Sequence, residues 1–577
     1  MACVAGACTA VPAPRAIAPM TATTVLSARP SLRWELPAGV TSAWVRLCTS
    51  RACSVLATPE FSVTGTTVTS PTTLATGRYC WQLQGVQNGV RGTTWSPVWC
   101  FAVEGAYGGS VNRGAARAYV DVRGSGYADL LVGASGALGS GRAYLYNGSV
   151  TGLATTPETT LAGGTSSVDF GYSAASAGDV NGDGYGDVIV GDPSANSGAG
   201  AVYVFLGSVS GLTTTPVVTL PGTTSARFGH SVASAGDVNG DGYADVIIGA
   251  YSADATTAGN EGRAYVFRGA ATGLLTAYRT LNGSVTGDRF GVSVASAGDI
   301  NADGYADVIV GADEATPASA SHSGAAYVFL GRSDTSGGMS TTPSHVLGGA
   351  AAGDDFGISV ASAGDVDGDG YADVIVGADD ADVTTDDNAG KAYVFRGGAA
   401  GLVATPYRTL NGLGVNSFFG GSVAGAGDLD GNGYGDVIVG GIGGTSTGTV
   451  FVYASSASGL SASPARIIMG ASTNDDFGWS VASVGYFGSS GYPAVAVGDR
   501  NADPSTGTNA GAVTLFVGSA SGLSTTPYRT INGSAASEYF GTAVAHAVDV
   551  LPRRGFLWCD ARATLSSRVT QPHTPHA

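Results

Sequence analysis

One stretch, DVNGDGYADVIIGA beginning at Asp237, recurs along most of the chain, and its period constrains the fold more than any other feature. Copies of the loop begin at Asp121, Asp179, Asp237, Asp299, Asp365, Asp428, Tyr486 and Asp549, spaced 58, 58, 62, 66, 63, 58 and 63 residues apart. A period of this size signals a solenoid, propeller or array, because each unit buries its apolar face only against its neighbours. Within one period four strand-like segments follow in order: FGHSVASAGD (228–237), ADVIIGA (244–250), GRAYVFRG (262–269) and TAYRTL (276–281). Each is short, rich in β-branched or aromatic residues, and bounded by Gly, Asn, Asp or Ser. No helical period occurs. Four antiparallel strands per unit, repeated about seven times, suit blades set radially round a channel, whereas a linear β-solenoid uses shorter repeats. The runs VIVG and VIIG are apolar without alternation, as expected of strands buried on both faces. Ala and Ser in SVASAG let adjacent sheets approach. The aromatics of the Phe-Gly pairs, Phe170, Phe228, Phe290, Phe356, Phe419, Phe477 and Phe540, are placed to anchor contacts between blades.

The loop itself places oxygen-bearing side chains at positions 1, 3, 5 and 9, with Gly at 6 for the tight turn and a backbone carbonyl available at 7. That donor set suits a hard cation taking six to eight oxygens, and calcium in particular; magnesium prefers a stricter octahedron, and zinc wants His or Cys. Five loops are complete. They comprise Asp179, Asn181, Asp183, Tyr185 and Asp187; Asp237, Asn239, Asp241, Tyr243 and Asp245; and Asp299, Asn301, Asp303, Tyr305 and Asp307. The other two comprise Asp365, Asp367, Asp369, Tyr371 and Asp373, then Asp428, Asp430, Asn432, Tyr434 and Asp436. In each set the tyrosine contributes its main-chain carbonyl. The copy at Asp121 is degenerate, with Arg123 and Ser125 at positions 3 and 5, so a guanidinium is expected in place of the ion; the copy at Tyr486 has no carboxylate and is expected to be empty. Asp, Asn and Gly also favour metal-free turns. Five copies with the same oxygen positions favour the ion. The complete loops hold 16 carboxylates, and five Ca²⁺ would bring the formal net charge from −17 to −7. Uncompensated, such clusters repel or take up protons. An EF-hand loop opens into a helix and keeps an acid at position 12, whereas here a strand begins at position 10.

The composition excludes other classes. A net charge of −17 argues against nucleic acid, which needs a basic surface. No apolar run approaches a membrane span, and the segment after Met1 has neither the basic start nor the hydrophobic stretch of a signal peptide. Cys3, Cys8, Cys48, Cys53, Cys80 and Cys100 lie in the first hundred residues, and the next, Cys559, lies in the terminal tail. This clustering reads as a disulfide framework in an oxidising compartment, with Cys80 and Cys100 the favoured pair; a C-x4-C zinc site is the competing reading.

The pattern Phe-Gly-x-Ser-Val-Ala-x-x-Gly-Asp-Val-Asn-Gly-Asp-Gly-Tyr-x-Asp-Val-Ile-Val-Gly-Ala is similar to the FG-GAP repeat of the integrin α-subunit β-propeller and covers roughly residues 105–550. The resemblance implies seven blades and structural calcium loops that join the first two strands of a blade, on the face opposite the ligand-binding loops. The first hundred residues, through PSLRWELPAG, SAWVRLC and LATGRYCWQLQGV, resemble a fibronectin type III-like sandwich. The expected fold is therefore all-β: a seven-bladed β-propeller preceded by a small disulfide-bonded β-sandwich. Expected boundaries are an extension at 1–24, the sandwich at 25–104, the propeller at 105–550 and a disordered tail at 551–577. The last repeat begins as EYFGTAVAHAVDV but continues in unrelated sequence, which reads as a frameshift or truncation near Asp549. The segment from Phe540 to Val550 is still expected to supply a strand, pairing with the irregular first unit at Tyr107–Asp121.

Function follows from architecture. The histidines His230, His322, His345, His546, His573 and His576 are scattered, His230 sits at a variable repeat position as a surface or filler residue would, and no nucleophile elbow, HExxH or phosphate loop is present. The reading is a monomeric, secreted or surface-exposed calcium-stabilised module that binds a protein or carbohydrate ligand and is not an enzyme. Its ligand contacts are expected in variable loops such as 252–262 and 313–324. The alternative is a polysaccharide lyase or hydrolase working in the channel with acids drawn from Asp192, Glu261, Asp313, Glu314, Asp379, Asp380 and Asp382.

Overall fold

The computed structural model describes short strands within residues 2–48, most of 56–103, residues 116–118 and 122–123, and 127–545 apart from short loop stretches (150, 184, 255–258, 274–276, 318–321, 333–337, 384–387, 433, 444–446, 474, 486–489 and 491). The tail from 546, and with it the expected disorder of 551–577, lies outside the described residues, as do Asp121, Ser125 and most of Tyr107–Asp121.

Seven four-stranded antiparallel sheets follow one another between 130 and 545 among the described residues. Sheet two shows the pattern: Ser173–Gly178, Asp187–Asp192, Ala201–Phe205 and Val218–Pro221 pair in chain order. Sheets three to seven begin at Ser231, Val294, Val360, Phe419 and Phe477 and repeat it. Sheet one departs from it. Its outer strands are Leu130–Ala134, Arg142–Tyr146 and Thr159–Leu161, and its first strand is Phe540–Ala545 from the far end of the described chain. The expected late strand therefore exists, but its partner is Leu130–Ala134, with Leu131 opposite Ala545, rather than Tyr107–Asp121.

The second strands, such as Asp187–Asp192 and Asp245–Ala250, are buried at every residue. Their unalternating Val and Ile meet a neighbouring sheet on either side, with Ile189 in one apolar cluster and Val188 and Val190 in another. Each Phe-Gly pair joins two sheets. Phe170 stands edge-on to Tyr203 and Phe205 at 5.2 and 6.3 Å within sheet two, and bridges to Gly141 at the start of the third strand of sheet one. The bridge repeats at Phe228, Phe290, Phe356, Phe419, Phe477 and Phe540. Glycine is required at its far end: Gly200 has φ +84° and a Cβ there would lie 2.1 Å from the Phe228 carbonyl oxygen.

The serine of SVASAG does more than save space. Ser173 Oγ donates to the Gly229 carbonyl of the next sheet at 2.7 Å, and Ser231, Ser293, Ser359, Ser422 and Ser480 donate in the same way to Gly291, Gly357, Gly420, Gly478 and Gly541.

Toward the N-terminus a seven-stranded sheet runs Ala116–Ala118, Thr23–Val25, Trp99–Val103, Gly77–Gln87, Ser42–Cys48 and Phe61–Thr64, with Val90–Arg91 beside Gly77–Gln87. A three-stranded sheet, Arg15–Ala18, Ser31–Glu35 and Thr67–Thr69, supplies Leu32 to a core shared with Val45, Leu47, Trp81 and Leu83. The register sets Cys80 opposite Cys48 on one side and Cys100 on the other, and Cys3 opposite Cys8. Cys48 is buried and disulfide-bonded. Among the described residues no helix is long and apolar enough to cross a membrane.

Candidate metal centres

The five complete loops join the first and second strands of sheets two to six. Each is a chain of short side chain-to-backbone turns. In the loop from Asp237, Oδ1 of Asp237 accepts from the N–H groups of Gly240 and Asp241 at 2.7 and 3.1 Å, and Oδ2 accepts from Gly242 at 2.8 Å. Asn239 Oδ1 accepts from the Asp241 N–H at 3.0 Å, and Asp241 Oδ1 from the Tyr243 N–H at 3.0 Å. Asp365 repeats the first pattern with Gly368, Asp369 and Gly370. The aspartate at position 9 clamps two backbones. Asp245 accepts from Val238 at 3.0 Å and from Gly269, just after the third strand, at 3.0 Å. Asp187, Asp307, Asp373 and Asp436 do the same.

These carboxylates are deeply buried: Asp179, Asp187, Asp245, Asp307 and Asp373 have no exposed surface, and Asp237 and Asp365 are 4% and 7% exposed. Burial, reinforced by the neighbouring carboxylates, pushes Asp237 up to about 7, Asp365 to about 6 and Asp436 to about 8, and raises Asp187, Asp245, Asp307 and Asp373 well above the ordinary range. The donor set is all oxygen. Carboxylate oxygens of Asp365, Asp367 and Asp373 lie within 4.8 Å of one another, close enough to share one ion. This loop also carries the extra acid, and Arg396 Nη1 donates to Asp367 Oδ2 at 3.1 Å, a compensation the sequence did not reveal.

The two incomplete loops differ in kind. Arg123 pairs with Glu158 and keeps 40% of its side chain exposed, so it is not enclosed as a substitute ion, while Asp129 still clamps Val122 and Gly148 at 3.0 and 2.8 Å. In sheet seven, where position 9 is Ala494, the N–H of Gly518 turns to the Pro493 carbonyl at 2.9 Å instead. Most of the Tyr486 loop lies outside the described residues.

The repeat model matching this chain is described as the FG-GAP repeat, at residues 170–205, 228–267, 290–329 and 356–395. Residues 170–395 of the chain carry four FG-GAP repeats. Similar relatives are integrin alpha-5 of Xenopus laevis (36% identical over 37% of this chain), integrin alpha-7 of Homo sapiens (35% over 33%) and integrin alpha-IIb of Mus musculus (40% over 33%). The chain spans only 20%, 15% and 19% of their lengths. A solved 6-phosphogluconolactonase of Bacteroides uniformis aligns over 73% of this chain and 99% of its own at 12% identity with a TM-score of 0.46, too distant a likeness to bear on fold or chemistry.

At the opposite end of the first two strands, the chain gathers a second set of polar groups. Tyr172 and His230 Nε2 are 3.2 Å apart, His230 Nδ1 is 3.1 Å from the Val292 carbonyl, and the His230 ring stands edge-on to Tyr251 at 4.6 Å. His230, expected as filler, thus links three sheets, and burial lowers it to about 4. Of the acids considered for catalysis, Asp192 accepts from the N–H groups of Val168 and Asp169, Asp382 from that of Asn388, and Asp313 pairs with Arg289 at 3.0 Å. Asp313, Asp379 and Asp380 do share a neighbourhood, together with Asp355, which sequence reading missed. Burial and these neighbours raise Asp313 to about 6, and Asp355 and Asp379 to about 7. Asp355 was hidden because its position before the Phe-Gly pair follows no single chemistry along the chain, being Asp169, Arg227, Arg289, Phe418, Asp476 and Tyr539 in the other repeats.

Proposed function

We propose that this FG-GAP protein is a calcium-stabilised extracellular module for adhesion or ligand binding, built as a seven-bladed propeller at about 105–550 behind a disulfide-bonded, fibronectin type III-like sandwich at 25–104. The ligands to the five ions are the residues at loop positions 1, 3, 5 and 9 and the position-7 carbonyls of Tyr185, Tyr243, Tyr305, Tyr371 and Tyr434. The observation that carries the reading is the burial of Asp237 and Asp245 within one turn, where both ionise fully only beside a cation. The metal's role is structural, since each loop orders the hairpin that delivers a second strand to the core. The opposite end, with loops 252–262 and 313–324 and the Tyr172–His230–Tyr251 group, is where a protein or carbohydrate ligand would dock; residues 255–258 and 318–321 are outside the described residues. The likeness to integrin alpha chains supports both a surface location and a non-catalytic role.

Thermal unfolding in millimolar calcium and in chelator tests the calcium reading. Each site held at a hundredfold its Kd adds about 2.7 kcal/mol, so chelation is expected to lower the midpoint steeply, and an unchanged midpoint refutes filled sites. A second reading, cleavage of a polysaccharide, is favoured by Asp355 and Asp379, raised to about 7, where either could carry a proton. Incubation with glycans retained on an array separates the two: a binder holds them unchanged, an enzyme shortens them.

A further inference from the structure

The acidic loops are not separate. In sheet two, Asp187 Oδ2 accepts from the Val180 N–H at 2.8 Å, and the Val180 carbonyl accepts from the Ala270 N–H of sheet three at 2.8 Å. The adjoining Gly269 N–H donates to Asp245 Oδ1 at 3.0 Å. The last ligands of two successive loops are thereby joined by one short run of hydrogen bonds. The same three bonds link Asp245 to Asp307 through Val238, Arg332 and Gly331, at 3.0, 2.8 and 2.8 Å. They link Asp307 to Asp373 through Ile300, Gly398 and Gly397, each at 2.9 Å.

A second connection runs beside the first. The backbone carbonyls of Asp179, Asp237, Asp299 and Asp365, the first ligands, accept from Ala244, Ala306, Ala372 and Gly435 of the next sheet at 3.0, 3.1, 3.2 and 3.2 Å. Each donor immediately precedes that loop's position-9 aspartate. The turns also touch: a Cβ on Gly240 would lie 2.6 Å from the Tyr305 ring, and one on Gly368 would lie 2.5 Å from the Tyr434 ring.

From this geometry we infer that the five loops take up calcium cooperatively, each filled loop raising the affinity of the loops on either side. The inference rests on the reading that the loops hold calcium and adds coupling between them. An ion that draws in Asp245 fixes the Gly269–Ala270 peptide and the Ala244 amide. Those groups in turn hold Val180 and Asp179 of the preceding loop in the arrangement its own ion needs. The second ion then binds backbone whose ordering is already in place, which gives positive cooperativity. The row is open, because it ends at the Arg123 loop on one side and at the carboxylate-free Tyr486 loop on the other.

That finite row supplies the test, made on the whole chain by equilibrium dialysis with calcium. Asp303→Ala removes the middle site and Asp183→Ala removes an end site, so both variants should bind four ions in place of five. Coupling predicts that they differ. The middle variant splits into two pairs, with a lower Hill coefficient and a midpoint raised about fivefold, the effect of an ordinary coupling energy, while the end variant stays close to the parent. Non-cooperative binding by the parent, or identical curves for the two variants, overturns the inference. A parent chain that takes up no calcium overturns the calcium reading itself, and that result is distinguishable from the others. Ala270→Pro provides a check that leaves every ligand in place, since it removes only the amide that donates to Val180. Its expected result is five bound ions with reduced cooperativity, and an unchanged Hill coefficient counts against the coupling.

Discussion

At the scale of single residues, the loops turn on backbone that side chains tolerate unequally. Position 4 is glycine in four complete loops, with φ of +69°, +74°, +77° and +75° at Gly182, Gly240, Gly368 and Gly431. The Asp299 loop has Ala302 there at φ +54°. A left-handed alanine costs roughly 1–2 kcal/mol, and glycine returns part of that gain as chain entropy, so Ala302→Gly is expected to stabilise the calcium-loaded protein by about 0.5–1 kcal/mol in denaturant titration. Gly240→Ala should destabilise by more, since its Cβ meets the Tyr305 ring as well. His230 supplies a pH signature. Its folded value, about 4, lies below the ordinary value of about 6.5, so the unfolded chain binds the extra proton between them. Stability from this residue is present above about pH 6.5 and is lost as pH falls toward 4. His230→Gln should flatten that part of the midpoint-versus-pH curve, and identical curves would show that His230 is not held neutral.

At the scale of elements, the loop and the strand after it form one device: the carboxylates set the turn, and the Val/Ile run fixes its exit in the core. Without an ion, Asp237, Asp365 and Asp436 are raised to about 7, 6 and 8 in the folded chain, against about 4 when unfolded. The folded state then binds more protons. The calcium-free protein should lose stability as pH rises from about 4 through about 8, and saturating calcium should abolish that slope by replacing protons with the ion. Melting curves in chelator across this range check the sign; a midpoint that climbs with pH contradicts it. The serine ring belongs to this scale too. Repetition made the serine visible in SVASAG, but its acceptor is a glycine carbonyl some sixty residues on, in another sheet, and no local pattern specifies it.

At the scale of the whole molecule, closure depends on the far end of the described chain. Phe540–Ala545 completes sheet one, Ser480 Oγ donates to the Gly541 carbonyl at 2.9 Å, and Arg529 reaches the Leu153 and Ala154 carbonyls from sheet seven. Ending the chain at Gly533 would strip sheet one of its first strand and expose the apolar edge of Leu130–Ala134. The expected result is loss of the single cooperative melting transition and a larger radius in X-ray scattering, and retention of both would mean that the ring does not need this strand. Periodicity was local, and so it was legible: the sixty-residue unit, its four strands, the tight acidic turns and the phenylalanines between sheets all follow from residue types at fixed spacing, because turns and buried strands impose their requirements on nearby residues. Only the tertiary structure decided that the late strand pairs with Leu130–Ala134, that Asp355 joins Asp313 and Asp379, that Arg396 answers the extra acid at Asp367, and that successive loops are joined through main-chain amides. Those contacts run between distant positions, and many use backbone groups that every residue possesses, so sequence leaves no mark of them.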